Sequence, residues 1–285
     1  RWTVNEMIFN STVDYERPFY DVTLSVVFRN TKTGKILDVP CFWDGGSVWR
    51  ARYALPEDGI WTYRTECSDR RNVGLRSYGG AVACQAYTGD LAIYRHGFIK
   101  TEPGTRYFIY DDGTPFFYLG DNHCHMVMED FDDRFRTTVD ARAEQGFTVI
   151  QSQPFGPWTA KGKDSCFTGI YEEFSEALLS QFQLYDKYFA YIAEKGLVHA
   201  NAQFSAAEYL EEYEKSLSEE DLVRLCRYWI ARYGAYPTVW TMARENGGTA
   251  CEDEIPASAS PWKKVAAYLF ENDPYRHPSP DGRTP

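Results

Sequence analysis

Four short polar clusters, each within or just past an apolar run, carry the residue types of this chain best suited to chemistry. Gly120-Asp121-Asn122-His123-Cys124-His125 follows the run Pro115–Leu119. Gln151-Ser152-Gln153 closes the run that begins at Phe147, and Trp158 lies shortly beyond it. Asn201 and Gln203 sit within Leu197–Phe204, and Arg244-Glu245-Asn246 follows Pro237–Met242. Carboxylate, amide, imidazole and indole groups suit hydrogen bonding to, and stacking on, a polyhydroxylated ligand. A glutamic acid such as Glu245, flanked by Arg and Asn past an apolar strand, can serve as general acid and base on a glycosidic oxygen. Its bland alternative is a solvated or ion-paired loop glutamate, which the pattern by itself does not exclude. Glu245 is therefore the catalytic candidate. The substrate-binding candidates are Asp121, His123, His125, Gln151, Gln153, Trp158, Asn201, Gln203, Arg244 and Asn246. Retaining hydrolysis also takes a second carboxylate about 5–5.5 Å from the first, and no residue stands out as that nucleophile.

His123-x-His125 beside Asp121 has the residue types of a zinc site, but such a site needs three or four ligands in matched geometry. The pair reads better as substrate-contacting or structural. No metal and no cofactor is expected, and a metal-dependent hydrolase built on Asp121, His123 and His125 is the outlying alternative.

The elements that must position these clusters change character along the chain. Up to about Gly89, short β-rich runs alternate with turn signals. Val22–Phe28, Ser47–Tyr53 and Ile60–Thr65 read as strands, separated by Asn30–Gly34, Asp44-Gly45-Gly46 and Asp58-Gly59. That spacing, with no helical period among them, predicts an antiparallel β-sandwich over residues 1–90. Residues 91–114 read as a connector with a hairpin of Phe98–Lys100 and Arg106–Tyr110. From Pro115 onward strands and helices alternate. The strands are Pro115–Leu119, Phe147–Gln151, Leu197–Phe204 and Pro237–Met242, and the helices are Asp132–Gln145, Tyr171–Lys195, Ser218–Tyr233 and Ser260–Phe270. Such alternation means parallel strands with crossover helices. No G-x-G-x-x-G follows the first strand, so a dinucleotide fold has no support. A complete (β/α)8 TIM-type barrel takes about 250 residues. Residues 115–285 are therefore expected to supply only its first four βα units, and the chain is expected to be part of a longer protein.

Composition narrows the partners. A net charge of −11 and the lack of any Lys/Arg run exclude nucleic acid, whose phosphates need a basic stripe. No window approaches the roughly 20 apolar residues of a membrane span. The aromatic share of 16% suits sugar-ring stacking, although core filling accounts for most such residues. The seven cysteines are scattered, odd in number and without a C-x-x-C pair. Reduced thiols are the expectation, which leans toward a cytoplasmic setting. A carbohydrate is the expected partner, and a homo-oligomer is compatible with the sequence.

Trp2-x-x-x-Glu6, Phe42-Trp43-Asp44-Gly45, Trp49-x-x-Arg52 and Gly59-Ile60-Trp61-Thr62-Tyr63 resemble the N-terminal β-sandwich that precedes apiosidase-like glycoside hydrolase barrels. His96-Gly97-Phe98 and the run Asp112-Gly113-Thr114-Pro115-Phe116-Phe117-Tyr118-Leu119-Gly120-Asp121 resemble the start of that family's catalytic domain. Gln145-Gly146-Phe147-Thr148-Val149-Ile150-Gln151 is similar to its second strand, and the resemblance extends to about Pro278. It implies a retaining glycosidase acting on plant-type polysaccharides. The family's fourth strand ends in a Trp-x-x-Gly-Gly-Asp-like pattern whose carboxylate is the acid/base. Trp240-Thr241-Met242-Ala243-Arg244-Glu245 occupies that place here, with Ala-Arg for the glycines and Glu for Asp. The family's nucleophile lies on a later strand, so the resemblance implies that these residues alone lack it. A non-catalytic carbohydrate-binding protein with a degenerate or incomplete barrel is the alternative.

Overall fold

A computed structural model describes residues 1–76, 78–123, 130–152, 174, 176–204, 218–243 and 262–279. The first seven strands are β1 (Asn5–Asn10), β2 (Leu24–Asn30), β3 (Ile36–Pro40), β4 (Phe42–Trp43), β5 (Val48–Tyr53), β6 (Gly59–Cys67) and β7 (Gly79–Cys84). They form two antiparallel sheets, ordered β1-β5-β4 and β3-β2-β6-β7. Period-two alternation drives them together. Leu24, Val26 and Phe28 of β2 point inward, and meet Trp49, Ala51 and Tyr53 of β5 in one apolar core with Trp43 and Trp61. A single helical turn, α1 (Pro18–Asp21), interrupts the strands. Its start is set by Pro18, whose missing N–H costs nothing at a helix's first position.

The connector holds a short helix, α2 (Ala92–Arg95), and a hairpin of β8 (Ile99–Lys100) with β9 (Ile109–Tyr110). Between them Gly97 has φ +90°, and a Cβ there would fall 2.8 Å from the Trp2 ring. Only glycine fits so tight a passage. The run Pro115–Leu119 is not a sheet strand, contrary to the sequence reading. Pro115 bridges Ile109 and the Phe116 N–H donates to the Phe108 carbonyl, so the run extends the hairpin instead.

The first parallel strand is therefore β10 (Gly120–Asn122), which takes in Asp121. It is followed by α3 (Arg136–Glu144), β11 (Val149–Ser152), α4 (Glu176–Glu194), β12 (Val198–Phe204), α5 (Glu219–Tyr233), β13 (Thr238–Ala243) and α6 (Trp262–Asn272). The strands pair in chain order, β10-β11-β12-β13, all parallel. The segment Phe131–Phe135 ahead of α3 is a wide π-type turn rather than α-helix. Its Asp130 carboxylate accepts from the Asp132 and Asp133 N–H groups and caps it. Ser218 caps α5 through a reciprocal pair with Asp221, two orphan N–H groups satisfied at once.

Register divides the parallel sheet into two faces. Ile150 and Trp240 lie on one face, packed with Val139 of α3, Phe189 and Ile192 of α4, Leu225 and Trp229 of α5, and Leu269 of α6. Val149, Val198, Ala200 and Val239 lie on the other, packed with Phe98, Ile99 and Phe116 of the connector region. One face is thus covered by helices, while the opposite face is closed at its N-terminal end by the connector. No helix among the described residues is long and apolar enough to cross a membrane.

The paired sheets are joined to the helices by buried charge. Trp49 and Ala51 face the sheet core, so period two sends Arg50 and Arg52 to the reverse face of β5. There Arg52 donates to Glu6, to both Asp186 oxygens of α4, and to the Arg232 carbonyl of α5. Arg232 donates to the same carboxylate, and pairs with Asp44 at 3.0 Å. The Phe42 ring lies 5.0 Å from the Arg52 guanidinium and 4.6 Å from that of Arg232.

Candidate functional site

The polar residues near the C-terminal ends of the parallel strands fall on opposite faces. Cα pairing aligns Asp121 with Ile150, Ile150 with His199, and Ser152 with Asn201, which aligns in turn with Trp240. Because Ile150 and Trp240 pack under the helices, Asp121, Ser152, His199 and Asn201 share that helix-covered face. Asn122, Gln151 and Ala200 align on the other face, with Val239 beside Ala200 and Thr241 beside Ala202.

This separates the sequence candidates. Asp121 accepts from Arg142 Nε of α3 at 2.7 Å, so an ion pair to its own crossover helix engages it. Asn201 is fully buried, and neither its amide nitrogen nor its oxygen has a partner among the described residues. Its position under the helices removes it from the face of Gln151. Strand alternation thus puts both residues on the face opposite Gln151. Gln151 keeps a half-buried place on that face. The His123 N–H donates to the Gln151 carbonyl at 2.8 Å, which ties the segment after β10 to β11. Gln203 lies in β12, with its side chain outside the described residues. Glu245, His125, Gln153, Trp158, Arg244 and Asn246 also lie outside them. Among the described residues no group of three His, Cys, Asp or Glu side chains could hold a metal ion.

Sequence reasoning missed His199 and Thr241. His199 Nε2 lies 2.6 Å from Ser152 Oγ, its ring meets Phe189 edge-on at 4.4 Å, and its carbonyl accepts from Thr238 Oγ1. This pairs serine with imidazole as a nucleophile–base dyad would, but both are closed off, at 1% and 2% exposure. Burial alone pushes the imidazole down to about 3, so it is neutral and a poor base. The pair fastens β11 to β12. The signal for it was present in Leu197–Phe204, where alternation places His199 and Asn201 on one face.

A neutral buried imidazole makes stability pH-dependent with a definite sign. The unfolded chain binds a proton below about pH 6.5, while the folded chain refuses it until about 3. Stability should fall as pH drops through that window, by at most about 1.4 kcal/mol per pH unit from this group. Comparing urea melts of wild type and His199→Asn between pH 7 and 4 checks it: the variant should have the shallower slope.

Comparison with known proteins places the chain among carbohydrate-active folds. The family described as Apiosidase-like, catalytic domain, matches residues 102–281, and a domain of unknown function, DUF5060, matches residues 1–68. No curated protein sequence matches the chain significantly. The solved structure of a candidate glycoside hydrolase from Bacteroides vulgatus ATCC 8482 superposes with TM-score 0.74 at 22% identity, over 98% of this chain and 54% of its own. A family 5 glycoside hydrolase from the same organism superposes with TM-score 0.51 at 17% identity, over 67% of this chain and 41% of its own. At these identities the likeness speaks to fold alone. The chain spans about half the length of the first of these structures.

Proposed function

We propose that this chain, which belongs to the apiosidase-like family of catalytic domains, comes from a retaining glycosidase that cleaves O-glycosyl bonds in plant-type poly- or oligosaccharides. In this reading residues 1–90 are a β-sandwich, 91–114 a connector, and 115–285 the first four units of a (β/α)8 barrel. The helix-covered face of the parallel sheet is then the barrel's outside, and the face of Gln151 and Thr241 lines its interior. In such barrels chemistry gathers at the C-terminal strand ends.

The observation that carries the reading is the register of β13. Val239 is packed on the interior face, and period-two alternation gives Thr241 and Ala243 the same parity. Glu245 follows two residues after Ala243 in the sequence, and in this reading it is the acid at the end of that strand. A carboxylic acid there can protonate a departing sugar oxygen and then deprotonate the incoming water. Trp240 supports the strand end from the other side, its indole N–H donating to the buried Asp273 carboxylate at 2.8 Å.

The test is stereochemical. Pectic, arabinan and xylan oligosaccharides should be hydrolysed, and proton NMR of the first-formed sugar should show the anomeric configuration of the substrate. First-formed product of inverted configuration would refute the retaining mechanism. No release of reducing ends from any of the three would refute the glycosidase reading.

A further inference from the structure

We infer that the Thr241 hydroxyl, together with the Gln151 amide across β12, recognises a hydroxyl of the sugar unit seated over β12. The inference rests on the glycosidase reading above and adds to it a residue that sets substrate preference. The interior face changes character along its strands. At its N-terminal end Val149 pairs with Val198, closed by Phe116 and Phe98. One step on, Gln151 stands level with Ala200, and one step further Thr241 stands level with Ala202. The middle strand thus carries alanine at both levels, with the amide of Gln151 beside it at the first, where Val239 is its other neighbour, and the hydroxyl of Thr241 beside it at the second.

Small residues on the middle strand with one hydrogen-bonding neighbour at each level match a sugar ring, whose C–H face is apolar and whose edge carries hydroxyls. A second observation is independent of that shape. Thr241 Oγ1 is shielded from solvent and has no hydrogen-bond partner among the described residues. Buried hydroxyls are nearly always satisfied within a fold, because leaving one unpaired costs stability. Valine, with the same shape and higher strand propensity, would serve the fold better. Among the described residues the hydroxyl has no partner to keep it there, and a bound ligand supplies one.

The experiment compares Thr241→Val, Thr241→Ser and Glu245→Gln in the full protein, on whichever of the pectic, arabinan and xylan oligosaccharides it hydrolyses fastest. T241V should raise KM about three- to tenfold with kcat held, since a neutral hydrogen bond to the bound sugar is lost in ground and transition states alike. T241S should recover most of that loss. The melting temperature of T241V should equal or exceed wild type, because Thr241 Oγ1 makes no hydrogen bond among the described residues. Wild-type KM in T241V overturns the inference. Equal impairment in T241V and T241S also overturns it, because packing and not the hydroxyl would then be at work. Loss of turnover in E245Q beside an unchanged T241V would sink this inference alone. Full turnover in E245Q beside a raised KM in T241V would sink only the role of the acid. Should the protein bind these oligosaccharides without cleaving them, calorimetry reads the same contrast in Kd.

Discussion

Replacing Asp186 with alanine is expected to lower the unfolding free energy by about 3–5 kcal/mol, the usual cost of breaking a buried ion pair from one side. The effect comes from the partners left behind. Arg52 and Arg232 have side chains only 7% and 0% exposed, and each donates to both oxygens of this carboxylate. Little of either guanidinium meets water, although the Asp186 side chain between them is itself 23% exposed. Glu6 and Asp44 still contact the arginines, and Phe42 lies against both, so the network loses one charge of several rather than all. Asp186→Asn keeps the shape and removes the charge, and should recover little. Urea melts of the two variants check this, and a loss below about 1 kcal/mol would show the joint to be screened like an exposed pair. Burial works to raise the Asp186 carboxyl, but the two arginines outweigh it and hold it below the ordinary carboxylate range. Its contribution should therefore be complete above about pH 4, and be lost as pH falls through the depressed folded value. Because the network joins β5 to α4 and α5, its failure should loosen the paired sheets from the helices first.

The largest expected functional effect belongs to Glu245→Gln. Glutamine matches the side chain in size but cannot give or take the proton, so turnover on unactivated glycosides should fall by about 10²- to 10⁴-fold. Aryl glycosides with good leaving groups need no proton to depart, so bond cleavage in them should suffer far less. The pH profile supplies a second check. A general acid must be protonated to act, so wild-type activity falls as pH rises past its pKa, and that limb should disappear in the variant. Near-native turnover with the alkaline limb intact would reject the assignment.

These expectations differ in how much of them the amino-acid order already contained. Four strand–helix alternations were legible because their apolar periods are long and their stops are strong, as with Gly196 after α4 and the Ser218–Asp221 cap of α5. The first strand was misread by several residues. Pro115–Leu119 is as apolar as a buried strand, but it pairs with the connector hairpin, a long-range choice that local composition does not encode. The family was legible from motifs spread over both regions, and matches residues 102–281.

What the residues did not settle was the side of the sheet each polar group would take. Asp121, Gln151 and Asn201 are equally polar and equally near a strand end, yet only Gln151 shares a face with Thr241. A shift of one residue in register exchanges the two faces of a strand. Register is fixed by pairing with neighbouring strands and by which face the helices cover, both set by contacts far apart in the chain. The Arg52–Asp186–Arg232 joint is of the same kind: each charge looks like surface in the sequence, and only packing of the sheets against α4 and α5 buries them together. Local sequence thus determined the order of elements and the family. The tertiary structure alone decided which face of the sheet each described side chain takes, because burial and register are properties of the assembled sheet.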